Sequence, residues 1–138
     1  MTPQRLAFIV HDREHALAVA AASAETGTPV RVFSPPHGAA TLGADVFQAI
    51  VAEAHETFPE ADISAVLDCG DEPGTALGAI RRGVEAVSLA VQPEARQRIV
   101  DIALQSGTEV VERHAEALDL AHAAEPTADI RRWISKGR

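Results

Sequence analysis

Short apolar runs rich in β-branched residues alternate along this chain with longer, alanine-rich segments. The runs are RLAFIV, PVRVFS, ISAVLD, VEAVSLAV and TEVVE, at 5–10, 29–34, 63–68, 84–91 and 108–112. Each precedes a segment of helical length, at 12–26, 44–58, 73–82, 93–106 and 113–124. Nearly continuous apolar character is typical of strands that are buried on both faces. The pattern therefore predicts five β strands, each followed by an α helix.

Successive βα units are the signature of a parallel sheet that is covered by helices on both faces. We expect one three-layer α/β domain over 1–125, with a doubly wound sheet of five parallel strands. We favour the flavodoxin-like strand order 2-1-3-4-5, with a Rossmann-like order such as 3-2-1-4-5 as the alternative. The units also look like those of a TIM barrel, but a closed barrel needs eight. In this general sense the chain resembles small bacterial α/β proteins of flavodoxin-like type.

The C-terminal segment, 126–138, has its own amphipathic pattern. Ile130, Trp133 and Ile134 fall on one side of a predicted helix, and Arg131 and Arg132 fall on the other. One interpretation is a terminal helix folded back over the sheet edge. The other is a homodimer contact through the same three apolar residues, because a tryptophan is a good interface anchor.

Composition narrows the class of protein. At 138 residues and 46% hydrophobic, the chain suits a single globular domain. It has no apolar run near the ~20 residues of a membrane span and no signal-peptide pattern, and its only cysteine is Cys69, so we expect a cytoplasmic protein without disulfides. A net charge of -8 argues against nucleic-acid partners.

Several known site types lack their signatures here. The only lysine is Lys136, which disfavours Schiff-base, P-loop and phospho-receiver chemistry. Asp12 and Asp68 follow strands 1 and 3 as acidic residues do in receivers, but Glu112 and Arg113 stand in place of the receiver lysine. The turn after strand 1 contains no glycine, which argues against NAD, FAD or FMN and leaves any cofactor unknown.

Polar residues cluster where the strands end. In open α/β sheets, ligands bind outside the carboxyl ends of the strands, near the point where the winding reverses. We therefore expect a pocket at the ends of strands 1 to 3. Its candidate ligand-binding residues are His11, Asp12, Ser34, His37, Asp68, Cys69, Gly70, Asp71 and Gly74.

The segment DCGDEPG, which begins at Asp68, permits three interpretations. It is an ordinary strand-to-helix turn, or an anion cradle made by the Gly70 to Gly74 amides, or a site where Asp68 binds a cation or a hydroxyl group. Gly74 and Gly78 are four residues apart, and this spacing also suits a helix that approaches the sheet closely.

Metal and thiol chemistry are weaker hypotheses. His11, His37 and His114 could converge with Asp68 or Cys69, but no pair of them has the close spacing of a specific metal motif, and His11 and His15, at i and i+4, lie across a strand-to-helix joint. We therefore predict no metal site. A thiolate at Cys69 beside His11 would suit nucleophilic catalysis, whereas a buried structural cysteine is the simpler interpretation.

These observations favour a small-molecule-binding α/β domain that takes a polar or phosphorylated ligand. One alternative is a non-catalytic oligomeric interaction module that assembles through the Trp133 segment. Another is a small lyase, isomerase or hydrolase in which His11 and Asp68 act as acid and base.

Overall fold

The structure, a computed structural model, describes residues 4–113 and 116–137. The strands are β1 (Leu6–Ile9), β2 (Val30–Phe33), β3 (Ile63–Asp68), β4 (Ala86–Ser88), β5 (Glu109–Val110) and β6 (Leu118–Asp119). The helices are α1 (Arg13–Thr26), the single turn α2 (Gly38–Thr41), α3 (Ala44–Thr57), α4 (Pro73–Arg81), α5 (Pro93–Ser106) and α6 (Pro126–Gly137), with a 3-10 turn at Leu120–His122. No described helix is long and apolar enough to cross a membrane.

The strands form one sheet in the order β5-β4-β3-β2-β1-β6, flanked by helices, which confirms the predicted α/β class with parallel strands. The order differs from the expected 2-1-3-4-5, because β2 rather than β1 lies beside β3. The first four crossovers all step in one direction, and the winding reverses only before β6, which pairs with the free side of β1. An apolar pattern specifies strands but not the direction in which each crossover steps.

Burial in the sheet follows the continuity of the apolar runs. All six residues of β3 and all three of β4 are buried, as their unbroken apolar character predicts. The fifth apolar run forms only a short and partly exposed strand. This strand consists of Glu109 and Val110, and Glu109 is exposed.

The helix expected over 113–124 is wrong. Leu118 and Asp119 instead pair with Phe8 and Ile9 as a sixth strand, and a 3-10 turn follows. The side chain of Asp119 accepts a hydrogen bond from the backbone N–H of Ala121, which starts that turn. A short-range bond of this kind competes with helix formation. Residues 114 and 115 of the same segment lie outside the described residues.

The C-terminal segment forms α6, which packs against α1. Ile130 is 0% exposed and Ile134 is 2% exposed. Trp133 is half-buried, and its indole N–H has no hydrogen-bond partner among the described residues. Ile130 and Ile134 are thus already covered by their own chain, which supports the folded-back helix and removes these two isoleucines as exposed interface residues.

The chain divides into two compact units. The first unit contains the described residues within Met1–Phe33, Ala49–Ser64 and His114–Arg138. The second unit contains Ser34–Gln48 and Ala65–Arg113. Each unit carries one cluster of polar side chains at the carboxyl ends of its strands.

Candidate functional site

The second unit has an open cleft of about 540 Å³ at the carboxyl ends of β3, β4 and β5. The fold brings residues of five segments to it, because parallel strands end at the same edge of the sheet. The lining residues are Pro36 and His37 after β2, Asp68, Gly70 and Asp71 at the end of β3, Leu89 to Val91 after β4, Arg96 of α5, and Glu112 and Arg113 after β5.

Asp68 forms the base of the cleft and is 6% exposed. The Oδ1 atom accepts hydrogen bonds from the backbone N–H groups of His37 at 2.9 Å and Gly70 at 3.0 Å. The Oδ2 atom accepts from the Ser88 hydroxyl at 2.9 Å and from Nη1 of Arg113 at 2.6 Å. Asp68 and Ser88 are register partners on β3 and β4, so their side chains lie at the same level. Four donors satisfy this carboxylate within the protein.

These donors keep Asp68 ionised. Burial alone would raise the pKa of its carboxyl group. The backbone N–H of His37, the Ser88 hydroxyl and the charge of Arg113 outweigh that effect, and the pKa of Asp68 lies below its ordinary value.

Two arginines supply the positive charge of the cleft. Arg113 pairs with Asp68 at 2.6 Å, and its side chain is 34% exposed. Arg96, in the first turns of α5, pairs with Glu112 at 2.8 Å. The Arg96 side chain is 29% exposed, whereas that of Glu112 is 80% exposed. Both guanidinium groups therefore have donors left over, since each carries five N–H groups and makes one ion pair among the described residues.

Gly70 and His37 meet closely on one wall. Gly70 has φ of +61°, and a Cβ at this position would overlap Nδ1 of the His37 ring. The Gly70 N–H donates to Asp68, so it is not free to hold an anion. The predicted cradle of Gly70 to Gly74 amides is therefore wrong for Gly70.

Four of the predicted site residues line the cleft, namely His37, Asp68, Gly70 and Asp71. Ser34 is buried beneath it, where its hydroxyl accepts the N–H of Asp68 at 2.9 Å. Gly74 does not line the cleft, and a Cβ at Gly74 or Gly78 would meet no atom within 4 Å. The expected close approach of α4 at these two glycines is therefore wrong.

Cys69 is unsuited to nucleophilic catalysis. It is 2% exposed and does not line the cleft. Burial, assisted by the negative charge of Asp68, raises the pKa of Cys69 to about 12. The thiol therefore stays protonated at neutral pH, as the structural interpretation requires.

The first unit holds a second polar cluster at the ends of β1 and β6. Nε2 of His11 lies 2.6 Å from Oδ1 of Asp119. The backbone N–H of His11 donates to Nδ1 of His15 at 3.0 Å, and Asp12 caps α1 by accepting from the N–H of His15. His11 is thus paired with Asp119 rather than with the predicted Asp68 or Cys69.

The pKa of Asp119 also lies below its ordinary value. Burial would raise it, but the N–H of Ala121 and the ring of His11 stabilise the charged form more strongly. Because the carboxylate of Asp119 is an acceptor, Nε2 is the nitrogen of His11 that donates in this contact. His114 of the metal hypothesis lies outside the described residues, and 4–113 with 116–137 contain no group of three or more His, Cys, Asp or Glu able to hold a metal ion.

Sequence reasoning missed Ser88, Arg96 and Asp119. Ser88 sits inside the apolar run VEAVSLAV, where a serine in a buried strand is itself a sign of a buried acceptor nearby. Arg96 looks like a solvated helix residue, although the first turns of a helix after a parallel strand lie at the ligand edge of the sheet. Asp119 was not considered as a site residue, because it lies in the segment 113–124, which was predicted to be a helix.

No family model matches the chain, and no curated protein matches it. The geometry of the two clusters is therefore the basis for any statement about function.

Proposed function

We propose that this chain is a small-molecule-binding domain whose ligand occupies the cleft of the second unit. The ligand is a small polar molecule with an anionic group, either a carboxylate or a phosphate. The observation that carries the proposal is the 540 Å³ cleft into which Arg96 and Arg113 both expose part of their side chains. Concave sites with a few convergent polar groups are the usual form of small-molecule sites.

The two guanidinium groups, rather than backbone amides, supply the anion contacts. The N–H groups of His37 and Gly70 are taken by Asp68. Arg113 is held in place by the same carboxylate and retains further donors, which suits planar recognition of an oxyanion. Asp68 is thus a positioning residue for Arg113, not a ligand to the bound molecule.

A thermal-shift screen followed by isothermal titration calorimetry tests the proposal. The probes are inorganic phosphate, sugar phosphates, small carboxylates, amino acids and nucleotides. We expect at least one anionic probe to stabilise the wild-type protein, because a ligand that binds only the folded state raises its stability. Arg96→Ala should weaken that binding about tenfold or more, since hydrogen bonds to charged groups contribute about 1.5–3 kcal/mol.

Arg98→Ala is the matched control. Arg98 is an exposed arginine on the same helix and does not line the cleft. Equal binding by both variants, or no binding of any probe to the wild-type protein, would contradict the proposal.

The paired His11 and Asp119 favour a second candidate function, acid–base catalysis of a lyase, isomerase or hydrolase type. A carboxylate that holds one ring nitrogen leaves the other as a base, the arrangement that general-base catalysis requires. If generic ester, lactone and phosphoester substrates show turnover, His11→Ala should lower kcat by about 10²–10⁴-fold without unfolding the protein. Turnover that survives His11→Ala would remove this candidate.

The interaction module gains less support. Assembly through the Trp133 segment would need apolar surface there, and Ile130 and Ile134 are buried.

A further inference from the structure

We infer that the ligand of the second-unit cleft carries a zwitterionic head group, a carboxylate beside an ammonium as in an α-amino acid. The inference rests on the proposed function and narrows its ligand class. It depends on three features of the cleft: the balance of its charges, their exposure to solvent, and the geometry of the ion pair between Arg96 and Glu112.

The charge balance disfavours a dianion. The cleft is lined by three carboxylates, Asp68, Asp71 and Glu112, against two guanidinium groups. Asp68 and Arg113 lie in contact at 2.6 Å and largely cancel each other. Arg96 pairs with Glu112, and Asp71 lines the same cleft, so a phosphate dianion would add negative charge to a region that already has one more carboxylate than guanidinium. A net-neutral zwitterion leaves the balance unchanged.

The positive and negative side chains of the cleft also differ in their exposure to solvent. The side chains of Arg113 and Arg96 are 34% and 29% exposed, whereas that of Glu112 is 80% exposed and Asp71 is exposed as well. The two guanidinium groups are thus less exposed to solvent than the carboxylates of Glu112 and Asp71. A ligand with its carboxylate directed inward and its ammonium near the rim meets an opposite charge at each end.

The ion pair of Arg96 and Glu112 places a positive and a negative group side by side in the cleft. Its nitrogen and oxygen atoms are 2.8 Å apart, which is close to the spacing of the charged atoms in an α-amino acid. An antiparallel alignment places the ligand carboxylate beside Arg96 and the ligand ammonium beside Glu112. Because the Glu112 side chain is 80% exposed, solvent screens its attraction to Arg96, and Glu112 can adjust to the ligand at little cost.

Isothermal titration calorimetry on the full chain tests the inference with matched probes. The twenty amino acids are first ranked by thermal shift. The best of them is then compared with the carboxylate that lacks its amino group, with the amine that lacks its carboxylate, and with inorganic phosphate and glucose 6-phosphate. We expect the amino acid to bind at least tenfold more tightly than every other probe.

Glu112→Gln identifies the residue that recognises the ammonium. This variant should bind the amino acid about tenfold more weakly and bind the deaminated carboxylate at least as well as wild type. Glu94→Gln, an exposed α5 residue that does not line the cleft, is the matched control and should leave both affinities unchanged. Circular dichroism checks that Glu112→Gln is folded, as its exposure leads us to expect.

The results that would overturn the inference fall into two kinds, which differ in whether the proposed function survives. A phosphate or a plain carboxylate that binds as tightly as the amino acid, or a Glu112→Gln variant that keeps the preference for the amino acid, leaves the proposed function intact. No binding of any probe to the wild-type chain removes the proposed function together with the inference.

Discussion

The carboxylate of Asp68 accepts hydrogen bonds from two backbone amides, a hydroxyl and a guanidinium group. These donors belong to segments that follow β2, β3 and β5 and to β4 itself, so one side chain fixes the relative positions of all four. Its role at the residue scale is to hold the walls of the cleft and to orient Arg113.

Asp68→Ala should destabilise the protein by about 3 kcal/mol or more, because it leaves an arginine and several donors without their acceptor. Ser88→Ala removes only one of the donors and should cost about 1 kcal/mol. Urea unfolding followed by circular dichroism measures both. Equal effects of the two substitutions would contradict the central role of the carboxylate.

Acidification should weaken the fold through the same group. The folded-state pKa of Asp68 lies below the ordinary value of 3.8, which the unfolded chain adopts. Its contribution to stability is therefore fully present above that value and is lost as the pH falls through the lower folded-state pKa. Asp119 acts in the same direction.

We therefore expect the free energy of unfolding of the wild-type protein to decline below about pH 4. Asp68→Asn should be less stable at pH 7 and should show a shallower decline. Urea titrations at pH 7, 5, 4 and 3 give the comparison. Parallel pH profiles for the two proteins would show that this carboxylate is not responsible.

At the scale of elements, one glycine inside α4 and one in the turn that follows it have different backbone conformations. Gly78 lies inside this helix, and a Cβ there would meet open space. Gly83 follows the helix with φ of +78° and has equally open surroundings. The two glycines therefore share open surroundings and differ in backbone conformation.

Gly78→Ala should stabilise the protein by about 0.5–1 kcal/mol, since alanine in a helix interior restricts the unfolded chain without a clash. Gly83→Ala should destabilise it by about 1 kcal/mol, because a left-handed conformation is costly for a residue with a Cβ. Thermal unfolding of the matched pair checks both signs. A shift in the same direction for both variants would refute the distinction.

The elements themselves were largely predictable from the sequence. The first four strands and their helices appear where the apolar runs place them, because burial on both faces leaves a continuous apolar run. Strand order was not predictable, since the connecting segments carry no record of the direction of crossover. Leu118 and Asp119 were not predicted as a strand, because they pair with β1, which is far away in the sequence.

The site was predictable in part, for a related reason. His37, Asp68, Gly70 and Asp71 were found because the carboxyl ends of parallel strands can be located from the strands. Ser88 and Arg96 were missed because their roles depend on which strands and helices become neighbours. Arg113 could be placed at the same edge of the sheet because it follows strand 5. Its ion pair with Asp68 could not be predicted from the sequence.

At the scale of the whole molecule, each compact unit contains one natural probe. Trp133 is the only tryptophan and lies in the first unit, and Cys69 is the only cysteine and lies in the second. Strand β3 contributes Ile63 and Ser64 to the first unit and Ala65–Asp68 to the second. Unfolding of either unit therefore removes residues from this shared strand.

We expect the two probes to report the same urea midpoint, as in a cooperative two-state transition. Trp133 emission follows the first unit. Pulsed thiol labelling follows the second, because Cys69 is 2% exposed and its thiol pKa is raised to about 12 by burial and by Asp68. Separate midpoints would show that the units unfold independently.

The four hydrogen bonds to Asp68 also determine how a mutational scan of this protein should be interpreted. A screen that scores only the amount of folded protein will already rank Asp68 and Gly70 among the least tolerant positions. Intolerance at these positions is therefore no evidence of selection for binding. Arg96 and Glu112 are the informative positions for the proposed ligand site, because both side chains are partly exposed and their ion pair is separate from the four hydrogen bonds to Asp68. Intolerance at these two positions would support the proposed site.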